Sequence, residues 1–150
     1  MKTIGLGGNC HWCTEGIFSS VRGVGDVEQG WISSFTPNEA WSEGIRLNYD
    51  PEQIGLEDLV AIHLHSHSCT NVHSMRDKYR SAVYVVEADQ KMEVEQVLDG
   101  LQRDFEKPII TAVLTLVEFK LNEAHFLDYY YSDTSRPFCR NYISPKLRIL

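Results

Sequence analysis

The sequence lacks an excess of positive charge, a long apolar run and any internal repeat. Lys and Arg number 14 against 21 Asp and Glu, so the formal net charge is −7. Proteins bind duplex nucleic acids through clustered Lys and Arg, and this shortage argues against such a partner. No stretch is long and apolar enough to span a bilayer, and residues 1–5 do not resemble a secretory signal. We therefore expect a cytoplasmic protein that binds neither nucleic acid nor membrane.

The composition is nevertheless that of a folded protein. Hydrophobic residues make up 43% of the 150 residues, which is enough for a packed core in one domain over 1–150. A chain of this size does not need disulfides to fold, and a reducing compartment would keep thiols open. The cysteines are therefore more informative about chemistry than about scaffold; they are Cys10, Cys13, Cys69 and Cys139.

The hydrophobic pattern predicts strands alternating with helices. The predicted strands are 2–6, 24–33, 44–49, 82–87 and 111–119, and the predicted helices are 10–21, 56–65, 89–105 and 123–131. Asp89 is the expected N-cap of the third helix. The first six elements follow the split βαβ order, which predicts an α+β, ferredoxin-like two-layer sandwich with a mixed sheet. In that arrangement strands 2–6 and 82–87 are neighbours, and an irregular C-terminal tail follows.

Cys10 follows a glycine pair at the predicted turn from the first strand into the first helix. Unpaired amide groups and the helix dipole favour a thiolate at such a position, and the thiolate is the nucleophilic form. An inert, buried helix-start cysteine is the alternative. The Cys10-x-x-Cys13 spacing also fits a thioredoxin-like dithiol oxidoreductase, although the predicted strand order opposes it.

Other polar residues offer further chemistry. Three alternating histidines and a cysteine could form a metal-binding module, or could be solvated loop residues; they are His63, His65, His67 and Cys69. The candidate acids are Glu15, Glu43 and Glu123. Glu43, beside Trp41, could be desolvated and hold a proton, whereas Glu15 is best explained by stabilisation at a helix N-terminus.

Several segments, in chain order, resemble the A-type peptide methionine sulfoxide reductases. That family carries Gly-Cys-Phe-Trp followed by a Glu in the first helix, and residues 9–15 read Asn-Cys-His-Trp-Cys-Thr-Glu. Residues 78–81 resemble its Gln-Tyr-Arg-Ser stretch, and 123–130 resemble its Ala-Glu-x-Tyr-His-Gln-x-Tyr region. Residues 137–147 resemble the tail of many members. The similarity spans nearly the whole chain and implies the family's fold.

The resemblance implies thiol-dependent reduction of methionine S-sulfoxide, peptide-bound or free. Cys10 is then the nucleophile that becomes a sulfenic acid, Glu43 donates a proton to the oxygen, and Tyr79 assists. Cys139 holds the resolving position in the family-like tail, and Cys13 is the next candidate. Thioredoxin or a similar dithiol would reduce the resulting disulfide. The resemblance implies no bound cofactor and no metal, and we expect a monomer.

The expected substrate pocket departs from the family pattern. The Phe-Trp pair that holds the substrate methyl corresponds to His11 and Trp12, and Trp31 lies in an altered Gly-Tyr-x-Gly-Gly turn. The loop between Trp31 and Glu43 is shorter than in the family, and Ser74 occupies a position where an Asp is expected. These departures favour, as the alternative, a relative that has kept the scaffold as a binding protein and lost the reaction.

Overall fold

A computed structural model describes residues 1–72, 76 and 78–122 of the chain. Within these residues it contains six strands and three helices. In chain order they are β1 (Lys2–Gly7), α1 (His11–Phe18), β2 (Val24–Ser33), β3 (Ser42–Tyr49), α2 (Leu56–His65), β4 (Ala82–Val85), α3 (Ala88–Leu101), β5 (Ala112–Thr115) and β6 (Glu118–Leu121). A 3-10 turn, Gln102–Asp104, extends α3. In the same residues no helix combines the length and apolar character needed to cross a bilayer.

The strands form one mixed sheet with the order β5-β4-β1-β3-β2-β6. β1 is antiparallel to both β3 and β4, and β4 is parallel to β5. The inner order β4-β1-β3-β2 is that of the ferredoxin-like split βαβ arrangement, so the predicted fold class and the predicted neighbouring of the first and fourth strands are confirmed. This order also excludes the thioredoxin-like alternative.

The alternation along the central strands determines where the main core lies. Ile4 and Leu6 of β1 and Ile45 and Leu47 of β3 point to the same face, where the helices pack on the sheet. All four are at most 1% exposed, and each buried side chain of this size contributes about 1.5–3 kcal/mol. The opposite face carries a smaller apolar cluster around Ile32 and Tyr84.

The strand predicted over 111–119 is wrong in one respect, because this segment forms two strands at opposite edges of the sheet. β5 and β6 are separated by Leu116 and Val117 alone. Leu116 N–H donates to Val85 O on β4, and Val117 N–H donates to Ser33 O on β2. Six flat strands would hold their outer members about 24 Å apart, which two residues cannot bridge. The sheet is therefore strongly curled, and this segment crosses its smaller apolar cluster.

Other predicted boundaries move by a few residues. α1 ends at Phe18, and α3 begins at Ala88, one residue before the expected N-cap Asp89. Glu87 is the N-cap instead and forms a reciprocal capping box with Gln90. β3 begins at Ser42, two residues earlier than predicted, so Glu43 lies inside the strand. The predicted helix 123–131 and the tail lie outside the described residues.

Candidate active site

The turn between β1 and α1 presents Cys10 at the start of the helix. Gly8 has a φ of +137°, a conformation that favours glycine, and a Cβ there would lie 2.7 Å from Cδ2 of His67. The side chain of Asn9 accepts the Cys10 N–H at 3.0 Å. Cys10 is the N-cap of α1, and its carbonyl accepts the N–H of Thr14 at 3.1 Å. The predicted strand-to-helix position of this thiol is confirmed.

The surroundings of Cys10 lower the pKa of its thiol. The largest cause is a hydrogen bond from the side chain of Cys13, one turn further along α1. Cys10 makes no conventional N-cap hydrogen bond, yet the Trp12 and Cys13 amides also act on the sulfur and lower its pKa. Burial and the charge of Glu43 oppose these effects. Because the net pKa shift is downward, the thiolate fraction at neutral pH is raised.

Glu43 faces the N-terminus of α1 from β3. It is 5% exposed, and its Oε1 accepts the backbone N–H of His11 at 3.2 Å. Oε2 lies 3.3 Å from Nζ of Lys78. Glu43 is desolvated as expected, although Trp41, two residues before it, is 45% exposed. Its place in the sheet beneath α1 contributes to this burial.

His11 lies between the two tryptophans expected in the substrate pocket. Its ring centroid is 5.7 Å from that of Trp12 and 5.2 Å from that of Trp31, which it meets edge-on. Nδ1 lies 2.9 Å from the carbonyl oxygen of Gly30, and Nε2 lies 3.5 Å from Oε1 of Glu43. The structure thus brings the three expected pocket residues together beside Cys10 and Glu43.

A chain of buried polar side chains extends from His11 along the inner face of β2. Nδ2 of Asn122 lies 3.3 Å from Nε2 of His11 and donates to Oε1 of Gln29 at 2.8 Å. Nε2 of Gln29 donates in turn to Oε1 of Glu15 at 2.8 Å. Glu15 lies beyond the first turn of α1, so stabilisation by the helix N-terminus is the wrong explanation for it. It is held by this buried hydrogen bond instead.

Tyr79 lies beside the same carboxyl group. Burial, the charge of Glu43 and the charge of Cys10 all raise the pKa of the phenol, while Lys78 lowers it. The hydrogen bond that the Lys78 ammonium donates to the Tyr79 hydroxyl and the nearby Glu43 both raise the pKa of Lys78. Tyr79 is thus a neutral hydrogen-bond donor at physiological pH, close enough to both Cys10 and Glu43 to feel their charges.

Two further residues hold the backbone of the β1–α1 turn. Nε2 of His63 lies 2.7 Å from the carbonyl oxygen of Gly7. The guanidinium of Arg76 donates to the carbonyl oxygens of Gly8 at 2.8 Å and Tyr79 at 3.0 Å. Sequence reasoning did not find Arg76, Lys78 or Asn122, because no motif marks them. Lys78 is the first residue of the 78–81 segment, and the resemblance implies no role for it.

The alternative metal cluster is not formed. α2 continues to His65, which turns away to Asp104. The rings of His63 and His67 lie together, with centroids 4.3 Å apart, but they bond to Gly7 and Ser81. Cys69 is buried in the main core, and burial raises the pKa of its thiol. Among the described residues, no group of three or more His, Cys, Asp or Glu is arranged to hold a metal ion. Cys139, the expected resolving thiol, and Glu123 lie outside those residues.

Comparison with known proteins agrees with this geometry. A family profile described as "Peptide methionine sulfoxide reductase" matches residues 2–150. A protein named peptide methionine sulfoxide reductase MsrA from Trichodesmium erythraeum is 31% identical over 100% of this chain and 94% of its own length. One from Campylobacter jejuni is 28% identical over 99% of this chain and 97% of its own.

Solved structures show the same fold. Reduced Mxr1 from Saccharomyces cerevisiae superposes with a TM-score of 0.80 at 20% identity, covering 92% of this chain and 88% of that one. Mxr1 in a complex with Trx2 superposes with a TM-score of 0.62 at 18% identity, covering 85% and 84%.

Proposed function

Because the chain belongs to the peptide methionine sulfoxide reductase family, we propose that it reduces methionine S-sulfoxide, free or in peptides, with Cys10 as the nucleophile. One observation carries the proposal. A thiol of lowered pKa at the start of α1 lies next to a buried carboxyl on β3, and a phenol is close to both. A nucleophile and an acid are the two groups that removal of a sulfoxide oxygen needs.

The chemical step transfers the oxygen to Cys10. The thiolate supplies an electron pair, the sulfur–oxygen bond of the substrate breaks, and a proton from the Glu43 site reaches the oxygen. The products are methionine, whose sulfur is reduced by two electrons, and Cys10 sulfenic acid, whose sulfur is oxidised by two. Tyr79 donates a hydrogen bond to the same oxygen while it still belongs to the substrate.

The rings around Cys10 form the proposed methyl pocket. Trp12 and Trp31 offer apolar surfaces on two sides of His11, which replaces part of the apolar lining with an imidazole. A sulfonium-like methyl group binds well against an indole face. The same rings would accept the side chain of methionine sulfoxide within a peptide.

Recycling requires a second thiol and a dithiol reductant. A thiol attacks the sulfenic acid, a disulfide forms and water leaves. Cys139 remains our first candidate from its position in the family-like tail, and Cys13 is the candidate next to Cys10 in the structure. The structure of Mxr1 with Trx2 supports thioredoxin as the class of reductant. Such recycling suits the cytoplasm, where thioredoxin keeps thiols reduced.

The test is reduction of stereochemically pure methionine sulfoxide by dithiothreitol. We expect the wild-type protein to consume the S epimer at sulfur and leave the R epimer, and Cys10→Ser to consume neither. Glu43→Gln should lower the rate by about a hundredfold or more while Cys10 still reacts with an alkylating agent. If the wild type reduces neither epimer although Cys10 is reactive, the alternative of a binding protein that has lost the reaction is correct.

A further inference from the structure

His11 occupies the position where the family carries Phe, and its imidazole lies against the carboxyl of Glu43. The two side chains are 6% and 7% exposed, so neither charge is screened well by water. Nε2 and Oε1 are 3.5 Å apart, and the backbone N–H of His11 also donates to Oε1. The imidazole of His11, which can bind a proton, thus stands beside Glu43 where the family has the phenyl ring of Phe, which cannot.

The hydrogen bonds around His11 fix its tautomer. The carbonyl oxygen of Gly30 can only accept, so Nδ1 carries a hydrogen. At the far end of the polar chain, an ionised Glu15 can only accept, which orients the amide of Gln29 and then that of Asn122. The amide nitrogen of Asn122 consequently faces His11. In neutral His11 the lone pair of Nε2 therefore points towards Asn122 and Glu43.

Nε2 has two polar neighbours. It accepts a hydrogen bond from Nδ2 of Asn122 at 3.3 Å, and Oε1 of Glu43 lies 3.5 Å away, beyond the length of an ordinary hydrogen bond. A lone pair facing an ionised carboxylate in a buried site is unfavourable, and one proton between the two groups removes that repulsion. The same proton can reside on Oε1, or on Nε2 when the hydrogen bond from Asn122 is given up.

We propose that His11 and Glu43 hold one proton jointly, and that this proton is the one delivered to the sulfoxide oxygen. The inference rests on the proposed function and deepens it. His11 acts through Glu43 and is a positioning residue for the proton. After transfer, Glu43 is ionised, His11 is neutral, and the proton is on the oxygen of the sulfenic acid.

Other charged groups surround the His11–Glu43 pair, and they act on the carboxyl group as well. Among the described residues, other titratable groups lie around the His11–Glu43 pair. Cys10 and Glu15 are on α1, and Lys78 and Tyr79 are neighbours of Glu43. Lys120 is on β6, with its Nζ 5.7 Å from the Trp31 ring. The ammonium of Lys78 lies 3.3 Å from Oε2 of Glu43, so the carboxyl group meets a cation at one oxygen and the imidazole at the other. His11 gives the proton a second site within the same buried pair.

Nitrogen-15 NMR tests the shared proton without relying on activity. The imidazole resonances of His11 are assigned by their loss in His11→Gln, or in His11→Asn if the Gln variant does not fold. We expect the pH-dependent change at Nε2 to move about one pH unit lower in Glu43→Gln than in the wild type, because the carboxylate that favours the protonated ring is gone. An unchanged Nε2 titration in Glu43→Gln overturns the proposal.

The pH dependence of kcat/KM for methionine S-sulfoxide gives an independent readout. On the alkaline side of the pH profile, kcat/KM falls as the shared proton is lost, and we call this part of the curve the alkaline limb. Gln can hydrogen-bond but cannot hold the proton, so we expect His11→Gln to move the alkaline limb about one pH unit lower. His65→Gln is the matched control, since His65 is bonded to Asp104 away from the site, and it should leave the limb in place. If the alkaline limb of His11→Gln lies at the same pH as that of the wild type, the inference is overturned. A wild type without activity overturns the proposed function, and the NMR result then still decides the proton pair.

Discussion

Nζ of Lys78 lies 3.3 Å from Oε2 of Glu43, whereas His11 contacts the other carboxyl oxygen, Oε1. The two oxygens of this carboxyl group therefore meet different partners. The lysine side chain is 57% exposed, so dissolved ions screen its charge, whereas the imidazole side chain is buried. The charge of Lys78 therefore acts on the carboxyl group more weakly than its distance alone would suggest.

Lys78→Met should move the alkaline limb of kcat/KM to higher pH, opposite to His11→Gln. Removal of the ammonium removes an influence that favours ionised Glu43, so the acid keeps its proton to higher pH. Exposure limits the shift to a few tenths of a pH unit. Lys91→Met, which removes an exposed cation paired with Glu95 on α3, is the control. A shift to lower pH in Lys78→Met would contradict this account.

Cys13→Ala should slow the alkylation of Cys10 at mildly acidic pH. The Cys13 side chain is the largest cause of the lowered Cys10 pKa, so its loss raises that pKa and reduces the thiolate fraction by up to about tenfold per unit. Cys13→Ser retains a donor at the same position and should stay closer to the wild type. The rates are measured by mass spectrometry of peptides containing Cys10, and equal rates in all three proteins would remove Cys13 from this role.

The resolving thiol is identified by comparing two reductants. If Cys139 resolves the sulfenic acid, Cys139→Ser loses turnover with thioredoxin and keeps it with dithiothreitol, which reduces a sulfenic acid directly. Cys13→Ser then keeps both activities. The reverse pattern would assign resolution to the thiol one helical turn from Cys10. Peptide mapping of the oxidised protein after one turnover identifies the disulfide directly.

His63 should make the protein less stable as the pH falls below about 6.5. Burial lowers the pKa of its imidazole well below 6.5, and the proximity of His67 adds to this. The unfolded chain therefore binds a proton that the folded chain excludes. The stability present above about pH 6.5 is lost as pH falls, by up to about 1.4 kcal/mol per pH unit. Urea unfolding from pH 8 to pH 5 should show a shallower loss in His63→Gln, which retains a donor for Gly7 O.

Gly30→Ala should destabilise the protein strongly. A Cβ at Gly30 would lie 1.9 Å from the carbonyl oxygen of Lys120, which is backbone of the paired strand β6 and cannot move alone. Gly100→Ala on α3 meets nothing within 4 Å and should instead stabilise by about 0.5–1 kcal/mol. Thermal unfolding of the two variants measures both effects. A stable, fully paired Gly30→Ala would be inconsistent with the tight approach of β6 to β2.

The central sheet and the nucleophile could be predicted because they depend on local patterns. Alternation in 2–6 and 44–49 identifies buried strands, and the glycine pair before Cys10 marks a turn into a helix. The division of 112–121 into β5 and β6 could not be predicted. Residues 112–119 form one run of mostly apolar residues without a turn signal, and the change of partner at Leu116 depends on the curl of the whole sheet.

The polar neighbours of the site were harder to predict for the same reason. His11 was identified because it directly follows Cys10, but Asn122 comes to it from a strand more than a hundred residues away. The contacts of Lys78 and Arg76 with the site follow from no short motif. The burial of Glu43 was predicted, but the part that the N-terminus of α1 plays in it was not, because that contact joins residues 32 positions apart.

The segment 112–121 joins the two edges of the sheet. When its second half, β6, pairs with β2, it also holds a residue that contacts the active site. β6 covers the backbone of β2 from Gly30 to Ser33, and Asn122 directly after it reaches His11. If β6 detaches in a local unfolding event, the amide of Asn122 leaves with it. Hydrogen exchange at the β2 amides paired with β6 therefore measures how often local unfolding exposes the His11–Glu43 pair to water.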